Sequence, residues 1–570
     1  MTDSPAPLET PVLIIGGGPI GLSLAADLGR RGVGALLVEE RENKLGPAKM
    51  LECSVRTLVF CRQLGVIDKV RNWGFPLDWP LDSAFVTDLA GYEIGRVRTP
   101  ALGAERDSPV SPERGQPCPQ TWFDPILQDA ARSHPSITIR HRIGLESFVQ
   151  DDEGVTAQLR NHANGAMETV RAAYLVGCDG FASTVREQLG IAIRGEPHLD
   201  WSMTVYLRIP DLPSQHDKEK AFRYVFVGPE GTWSFLSIVD GKDLWRLQLV
   251  GLDEQRLRDT DIPALVRRCF GRDGIAYTIE DKTLWVRKRT VADRFMDGRV
   301  FLAGDAAHAH PPNGGLGMNT GIQDAFDLGW KLAGTLQGWG GPQLLASYDY
   351  ERRPASARAA EVSLSNYRRL VSAAQRAEIL SPTPAGDEAR RLIGEALVAE
   401  NEKSWHPVGV HLGYIYHPSP IVVPDGTAKP EDDTFGYVPT AFPGARAPHA
   451  WLSDGRSTLD LFGDGFVLLK FAEVDTSALE DAARTRGVPL TVHRITDPEI
   501  ANLYECKLVL VRPDGHVAWR QDEPPQENAP QDGAPQNNSA PQGDALSIID
   551  TVRGAGPRIA ACRAIRYRSP

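Results

Sequence analysis

The sequence is poor in cysteine, carries no excess of positive charge and lacks a long uninterrupted hydrophobic run. Seven cysteines among 570 residues do not make a disulfide framework, so we expect a reducing, cytoplasmic compartment. The formal net charge of −12 argues against a nucleic-acid partner. The apolar stretch at residues 12–28 is broken by glycines and a proline and falls short of the ~20 apolar residues that a membrane span needs. We therefore expect no membrane insertion.

What is present is typical of a large globular protein. Hydrophobic residues make up 42% of the chain and charged residues 24%, which excludes a mostly disordered or fibrous chain. A length of 570 residues corresponds to about three to five domains.

The N-terminal region has the pattern of a strand–helix–strand unit. Residues 12–15 form a short apolar run, and residues 21–31 repeat apolar residues at helical spacing. Residues 35–38 form a second apolar run that ends at Glu39. This order predicts a βαβ unit with parallel strands.

A G-x-G-x-x-G motif in this unit indicates a dinucleotide site. Gly16 permits a tight turn, Gly18 lets the backbone approach a pyrophosphate, and Gly21 lets helix and strand pack closely. The helix N-terminus offers free N–H groups to phosphate, and Glu39 can accept hydrogen bonds from a ribose diol. A glycine-rich turn without a ligand is the alternative, and the strand, helix and acid around the motif argue against it.

Two later strands each deliver an acid at the carboxyl end, where open α/β sheets bind ligands. Residues 174–178 lead into Asp179, and residues 300–303 lead, through a glycine, into Asp305. A simple nicotinamide site needs no second polyol-binding acid so far from Glu39. The combination therefore indicates a flavin.

The middle of the chain has a different sequence pattern. Residues 200–250 alternate apolar and polar side chains and are rich in aromatics, with a turn signal at residues 239–242. This pattern predicts an antiparallel sheet inserted into the first domain. Residues 318–336 and 348–380 are predicted to be helical.

From residue 442 onwards short strands, among them residues 459–461, surround a helix, which predicts a separate α/β domain. Within it, residues 521–544 are of low complexity, and we expect a disordered loop there. The domain contains Cys506 and Cys562 but no C-x-x-C motif. We therefore expect no disulfide chemistry from it.

Together these motifs resemble those of the single-component (group A) FAD-dependent aromatic hydroxylases, the family of para-hydroxybenzoate and phenol hydroxylases. The resemblance rests on the G-x-G-x-x-G motif with its acid and on the motifs at residues 179–186 and 304–308, and it continues through residues 311–325. It spans residues 12–350. In addition, residues 512–520 resemble the end of the thioredoxin-like domain in longer members.

The resemblance implies an α/β fold with a Rossmann-type FAD-binding domain, an inserted antiparallel β-sheet domain for the substrate, and a C-terminal thioredoxin-like α/β domain. The FAD-binding domain is expected to be discontinuous in sequence. The expected boundaries are residues 1–190 and 281–365 for the FAD-binding domain, 191–280 for the substrate domain, 366–441 for a helical linker and 442–570 for the C-terminal domain.

The resemblance also implies a set of FAD contacts. They are Gly16, Gly18, Gly21, Glu39, Lys49, Gln120, Asp179, Arg186, Asp305, Gly317, Met318 and Asn319. Asp305 is expected to bind the ribitol, and the backbone of Met318 and Asn319 to face the pyrimidine edge, where negative charge builds up on reduction. Asp179 and Arg186 are also associated with the transient reductant, NADH or NADPH.

The substrate residues are expected on the inserted sheet. Strand alternation puts Trp233, Phe235, Ser237 and Val239 on one face. Val239 falls where para-hydroxybenzoate hydroxylase has its carboxylate-binding arginine, so a neutral phenol or a larger polyphenol is expected rather than a benzoate. Further candidates, for which ordinary sheet surface or core is the alternative role, are Tyr206 and Arg223 for substrate binding and Arg246, Tyr224 and Pro312 for catalysis.

The activity implied is that of an NAD(P)H- and O₂-dependent flavoprotein monooxygenase that hydroxylates a phenolic or other aromatic substrate through a flavin C4a-hydroperoxide. One alternative is a tailoring oxygenase of polyketide-type natural products that performs hydroxylation, epoxidation or Baeyer–Villiger oxygen insertion. Another is an FAD-binding protein that oxygenates nothing. The expected cofactor is FAD, with no metal, and the assembly stays open, with a homodimer as one alternative.

Overall fold

The computed structural model describes residues 7–42, 46, 49–104, 108–372, 377–405, 408–525 and 544–556. Its first sheet is built on parallel strands, as the N-terminal unit predicts. In spatial order its strands are Met296–Asp297, Val300–Leu302, Met167–Gly177, Leu8–Ile15, Ala35–Glu39 and Ile137–His141. An antiparallel extension beside Met167–Gly177 consists of Ile143–Gln150 and Val155–Asn161. The helices that share its apolar core include Pro19–Arg30, Gln120–Arg132 and Leu316–Leu336.

The register of the parallel strands brings the predicted motifs to one edge of this sheet. Ile15 pairs with both Val38 and Gly177, and Gly177 pairs with Leu302. The residues that follow each strand are therefore neighbours at the carboxyl edge. They include the glycine turn, Glu39, Asp179 and Asp305.

The second sheet is mostly antiparallel and contains the predicted insertion. In spatial order its strands are His308–Ala309, Thr278–Ala292, Ile193–Arg208, Leu244–Leu252, Gly231–Ile238, Arg223–Gly228, Ser83–Val86 and Glu93–Val97. The predicted turn at residues 239–242 joins two of these strands, and Gly241 has a φ of +70° there. Strands within residues 83–97, and residues 281–292, also belong to this sheet, although the expected boundaries assign them to the FAD-binding domain.

Long helices connect the second sheet to the C-terminal region. Ser347–Ser372 packs beside Leu316–Leu336, and Pro384–Trp405 packs on the strand Glu93–Val97. The predicted helix at residues 348–380 is described as helical from Ser347 to Ser372, and its last residues lie in a 3₁₀ turn, Ala377–Leu380. Shorter helices are Val55–Gln63, Ile67–Arg71, Thr184–Gln188, Glu254–Arg258, Ile262–Phe270 and Val408–Leu412. Within the described ranges, no helix has the length and apolar character that crossing a membrane requires.

The C-terminal region forms a third sheet with its own helices, as the change in pattern near residue 442 predicts. Its strands, in spatial order, are Leu490–Arg494, Phe466–Lys470, Leu508–Val511 and Val517–Gln521, and its helices are Ser477–Thr485, Pro498–Tyr504 and Ala545–Val552. The strand expected at residues 459–461 is instead a 3₁₀ turn, Thr458–Leu461, because Ser457 and Asp460 form a capping box. Cys562 and residues 526–543 of the expected loop lie outside the described residues.

Candidate active site

The backbone of the glycine turn contacts the ends of the two strands that lead into Glu39 and Asp179. Gly16 has a φ of +108°, and its N–H donates to the Val38 carbonyl at 2.8 Å. A Cβ on Gly16 would lie 2.4 Å from the Cys178 carbonyl oxygen, and a Cβ on Gly21 would lie 2.1 Å from the Gly16 oxygen. These distances leave no room for a side chain, so the turn requires glycine at both positions.

Two helices begin at this edge without capping side chains. Gly18 precedes Pro19–Arg30, Gly315 precedes Leu316–Leu336, and neither helix has an acid in its first turn. A Cβ on Gly18 or Gly317 would meet nothing within 4 Å. The free N–H groups at the two helix N-termini therefore face open space. This suits a pyrophosphate at Pro19–Arg30 and an electron-rich ring edge at Leu316–Leu336.

Acidic side chains lie beside this space. The Glu39 carboxylate accepts from the Gly17 N–H at 2.7 Å and from the Arg41 N–H at 3.0 Å, and these bonds hold it at the end of its strand. Asp179 Oδ2 accepts from the Val185 N–H at 3.1 Å, whereas its buried Oδ1 has no hydrogen-bond partner in the described part of the chain. Burial raises the pKa of Asp179.

Asp305 lies at the floor of the same region. Its side chain is exposed to solvent. Desolvation raises the pKa of Asp305, and His308, Lys49 and Lys288 act in the opposite direction. Next to it, Arg186 Nη1 donates to the Ala306 carbonyl at 3.2 Å and so ties together the two acid-bearing motifs.

The remaining predicted FAD contacts come from neighbouring segments. The Gln120 N–H donates to the Met50 carbonyl at 3.0 Å, and its side chain donates to Asp124 at 2.9 Å. The Asn319 side-chain oxygen accepts from the Ser54 N–H at 2.8 Å, and its carbonyl accepts from Gln323 Nε2 at 3.1 Å. Its backbone N–H is therefore the group that can face a ligand. Met318, half-buried, packs against the first core. The turn, the acids and the open helix ends together fit the pyrophosphate, ribose and ribitol of FAD.

One face of the second sheet carries a row of polar side chains toward this edge. Arg223 pairs with Ser237, Ser237 with Arg246, and Arg246 with Tyr206 on successive strands. Residues opposite one another on adjacent strands share a face, so these four side chains form one row. Arg223 Nε donates to Ser237 Oγ at 3.2 Å.

This row meets the segment at residues 49–52. Arg246 Nη1 donates to the Lys49 carbonyl at 3.3 Å, and Arg223 Nη2 lies 3.4 Å from Glu52 Oε1. Burial lowers the pKa of Arg223 to about 10, with Glu52 opposing and Arg246 reinforcing the shift. Burial raises the pKa of Tyr206, and the neighbouring Arg246 opposes that shift. The polar row therefore places two guanidinium groups, Arg223 largely buried and Arg246 half-buried, beside residues 49–52.

Family models match most of the chain. The model described as FAD binding domain matches residues 9–363, and the model described as aromatic-ring hydroxylase, C-terminal, matches residues 440–535. The chain belongs to the FAD-dependent aromatic-ring hydroxylases. This hydroxylase is an FAD-dependent monooxygenase that uses O₂ and a nicotinamide reductant, which confirms the activity class and cofactors that the sequence motifs predicted.

Relatives cover nearly the whole hydroxylase. Tetracenomycin B2 monooxygenase-dioxygenase of Streptomyces olivaceus is 35% identical, over 90% of this chain and 96% of its own. 4-Methyl-5-nitrocatechol 5-monooxygenase of a Burkholderia species is 33% identical, over 91% and 95%. Among solved structures, the rebeccamycin biosynthetic enzyme RebC with reduced flavin has a TM-score of 0.87 and 39% identity, over 97% of this chain and 100% of that chain. Flavin-dependent monooxygenase PieE has a TM-score of 0.82 and 32% identity, over 91% and 97%.

The alternation expected for the substrate strand of the hydroxylase is interrupted. Phe226 pairs with Ser234 and Val227 with Thr232, so Trp233 is the extra residue of a β-bulge. Its ring packs against Phe226, with centroids 5.4 Å apart, in the apolar cluster on the opposite face from Phe235. The prediction that Trp233 shares a face with Phe235 and Ser237 is therefore wrong.

Two other expected pocket residues are buried in the same apolar cluster. Val239 belongs to it together with Tyr206 of the polar row, so its burial there does not decide which face of the sheet it occupies. The Tyr224 hydroxyl donates to the Glu219 carbonyl at 3.2 Å, and its ring lies beside Trp245, away from the polar row. Tyr224 is therefore not brought to the active site. Pro312 is exposed next to the flavin-side helix, and its carbonyl accepts from the Gly315 N–H at 3.1 Å.

A buried network behind the FAD contacts of the hydroxylase was not predicted. His308 Nε2 lies 2.7 Å from Asp324 Oδ2, which also accepts from the Gly304 N–H at 3.0 Å. Arg352 Nε donates to Asp324 Oδ1 at 2.8 Å. An aspartate within an otherwise apolar helical repeat is the signal that could have pointed to this network.

Proposed function

We propose that this hydroxylase oxygenates a phenolic ring and that Arg223 and Arg246 hold the phenol as its anion. The observation that carries the proposal is the row of Arg223, Ser237, Arg246 and Tyr206 against residues 49–52. Two guanidinium groups favour the charged form of a neighbouring phenol and so lower its pKa. A phenolate ring is a stronger nucleophile than the neutral phenol, so ionisation speeds the transfer of an electrophilic oxygen.

The other residues of the site bind FAD and exclude water. The chemistry that FAD supplies when bound is activation of O₂, one atom of which enters the ring while the other leaves as water. The turn at Gly16 and Gly18 holds the pyrophosphate, and Glu39 and Asp305 hold the ribose and ribitol hydroxyls. The open N-terminus of Leu316–Leu336 stabilises negative charge at the ring edge that it faces. Phe235 lies two residues before Ser237 on its strand and so shares the face of the arginine row, where its ring would exclude water.

A second candidate is oxygenation of a multi-ring natural product. It is supported by likeness over nearly the whole chain to an enzyme named for tetracenomycin B2 and to RebC. The relative named for 4-methyl-5-nitrocatechol supports a single-ring substrate instead. Hydroxylation, epoxidation and Baeyer–Villiger insertion are all compatible with the motifs.

A substrate panel tests the function. Purified protein is assayed with single-ring and multi-ring phenols for oxidation of NADH and of NADPH, with and without catalase to separate hydroxylation from peroxide release. We expect a yellow protein whose reductant oxidation rises with one class of phenol. A colourless protein would contradict FAD binding, and a yellow protein that oxygenates no member of the panel would favour the non-oxygenating alternative.

Matched variants test the arginine row. Arg223→Met and Arg246→Met should each raise the pH at which kcat/KM reaches its plateau, because the phenol then ionises without the nearby positive charge. Tyr224→Phe is the control, since its hydroxyl bonds to Glu219 on the other side of the sheet. An unchanged pH profile in both arginine variants would contradict phenolate binding by this row.

Several sequence predictions stay open beside this proposal. They concern the choice between NADH and NADPH, assembly as a homodimer, a cytoplasmic location and the domain boundaries given above. Sedimentation of the purified protein tests the homodimer, and the panel above tests the reductant.

A further inference from the structure

The C-terminal domain meets the FAD-binding domain through buried charges. We call Asp327, Lys331, Glu351, Arg512 and Asp514 the interdomain charge cluster, and each of these side chains is at most 3% exposed. Asp327 and Lys331 lie on the helix Leu316–Leu336, and Glu351 lies on Ser347–Ser372. Arg512 and Asp514 come from the C-terminal domain. The cluster therefore joins that domain to the helix whose open end faces the FAD site.

Arg512 is the central member of the cluster. Its guanidinium donates to Glu351 Oε1 at 2.6 Å and Oε2 at 2.9 Å, to Asp514 Oδ2 at 2.6 Å and to Asp327 Oδ1 at 3.2 Å. Lys331 Nζ donates to Asp327 Oδ2 and to Glu351 Oε2, both at 2.6 Å. Since buried charges need partners, loss of Arg512 leaves the three carboxylates of the cluster with one ammonium.

A second set of contacts joins the same two helices to the flavin-side turn, residues 304–308. Arg352, the residue after Glu351, donates from Nε to Asp324 at 2.8 Å. Asp324 in turn accepts from the backbone N–H of Gly304 and bonds to the His308 ring. The turn that carries the predicted ribitol-binding acid is thus held by a residue adjacent to the cluster.

Tyr416 connects the two sets directly. Its hydroxyl accepts from Arg352 Nη1 at 3.1 Å, and the Arg512 guanidinium lies 5.1 Å from the centroid of its ring. The ring of His516 lies 4.4 Å from the same ring, centroid to centroid. Arg512 therefore has two routes to Arg352, one through Glu351 and one through Tyr416.

We propose that Arg512 is a positioning residue for the FAD site. By fixing Glu351 and Tyr416 it fixes Arg352, and through Asp324 it sets the flavin-side turn. We call the glycine turn, Glu39, Asp179, Asp305 and the N-terminus of Leu316–Leu336 the flavin-binding edge. The role of the C-terminal domain is then to hold this edge in its binding geometry. This inference rests on the FAD contacts proposed above, in a family that binds FAD, and does not depend on the substrate proposed above.

The experiment compares two arginines of the same interface in the full-length protein. Arg62 is the matched control, because it donates to Asp460 of the C-terminal region at 2.8 and 2.6 Å and contacts no cluster member within the described residues. We expect Arg512→Met to weaken FAD binding about tenfold, as measured by quenching of flavin fluorescence. We also expect a shifted flavin reduction potential. Arg62→Met should leave the FAD dissociation constant within about twofold of the parent.

Two outcomes would overturn the proposal. One is an Arg512→Met protein with the parent's FAD affinity and reduction potential. The other is an equal loss in Arg512→Met and Arg62→Met, which would reduce the C-terminal domain to a docking role. If Arg512→Met does not fold, the same FAD titration is made with Arg512→Lys, because lysine restores the charge but not the two-pronged contact with Glu351. Weaker FAD binding than the parent's supports the positioning role, and the parent's FAD affinity contradicts it.

Discussion

The flavin-binding edge and the interdomain charge cluster share the helix Leu316–Leu336 but satisfy their polar groups in opposite ways. At the edge, two helix N-termini have no capping side chain, and Asp179 Oδ1 has no partner in the described part of the chain. In the cluster, each charged side chain has an opposite charge within 3.2 Å. We propose that a ligand satisfies the polar groups of the edge, whereas the cluster satisfies its charges within the chain itself.

This difference separates binding energy from folding energy. A helix whose N-cap is glycine forgoes roughly a few tenths of a kcal/mol of stability relative to a capping side chain, and its N–H groups stay available to a bound phosphate or ring edge. A buried ion pair costs desolvation that only complete pairing offsets. Variants at the ligand-facing positions of the edge should therefore change FAD affinity with little effect on the apoprotein. Variants in the cluster should lower the free energy of unfolding with or without FAD, and at Arg512 they should weaken FAD binding as well.

The largest effect is expected in the cluster. Lys331→Met leaves Asp327 and Glu351 without their ammonium partner, so the free energy of unfolding should fall by about 3–5 kcal/mol. Urea unfolding of the apoprotein and of the FAD-loaded protein should give similar losses. Arg391→Met is the control, since Arg391 is half-exposed beside Glu388 and Glu395 and should cost less than about 0.5 kcal/mol. A loss confined to the loaded protein would contradict the assignment of the cluster to folding.

The second prediction compares two glycines of one turn. Gly16→Ala places a methyl group 2.4 Å from the Cys178 oxygen at a φ of +108° and should destabilise even the apoprotein by about 3 kcal/mol. Gly18→Ala meets no atom within 4 Å, so the apoprotein should keep its melting temperature while FAD affinity falls at least about tenfold.

Gly32→Ala controls for backbone strain alone. Gly32 has a φ of +73° with open space around it, so its variant should lose about 1 kcal/mol and bind FAD normally. If Gly18→Ala destabilised the apoprotein as much as Gly16→Ala, the space beside Gly18 would not be a ligand site.

The flavin-binding edge could be predicted from the sequence because its determinants are local. The glycine turn, Glu39, Asp179 and Asp305 each follow a short apolar strand, and parallel strands bring their ends together. Those motifs indicate a flavin, and the activity class follows from their resemblance to the aromatic hydroxylases. The cluster could not be predicted in the same way, because Arg512 meets Glu351 across 161 positions of sequence. No local pattern distinguishes such a pair from two surface charges.

The substrate face was predicted only in part, for a different reason. Strict alternation is correct for Phe235 and Ser237, but the bulge at Trp233 moves that ring to the opposite face. A bulge adds one residue without changing composition, so periodicity alone does not reveal it. The sequence indicates Arg223 and Arg246 as candidates but does not show which face of the sheet they occupy. The strand pairing shows that both lie on the face of Ser237.

The third prediction uses pH to test the cluster. Burial raises the pKa of Asp327 to about 7, although Lys331 and Arg512 oppose burial. In the unfolded chain this carboxyl ionises near about pH 4, so between these values the folded state binds the extra proton and stability falls as pH rises. Asp327→Asn removes this slope. Its stability relative to the parent should improve from about pH 5 to about pH 7, by at most about 1.4 kcal/mol per pH unit.

Glu351→Gln should behave in the opposite way. The pKa of Glu351 is lowered to about 2, because Arg512 and Lys331 outweigh burial. The stability that this carboxylate contributes is complete above its unfolded pKa and is lost as pH falls below about 4. Urea unfolding of both variants across this range measures the two slopes. A pH-independent difference between Asp327→Asn and the parent would mean that Asp327 is ionised throughout.

The smallest effect is expected at the rim of the same interface. Asp464 is paired with Arg30 but is 96% exposed, and Arg30 also donates to Asp27 at 3.0 Å and to the Gly463 carbonyl at 3.2 Å. Asp464→Asn should therefore change the free energy of unfolding by less than about 0.5 kcal/mol and leave FAD affinity unchanged. This pair and the Lys331 contacts join similar groups at one interface and differ chiefly in burial. A loss near that of Lys331→Met would show that pairing, rather than exclusion of water, sets the strength of the cluster.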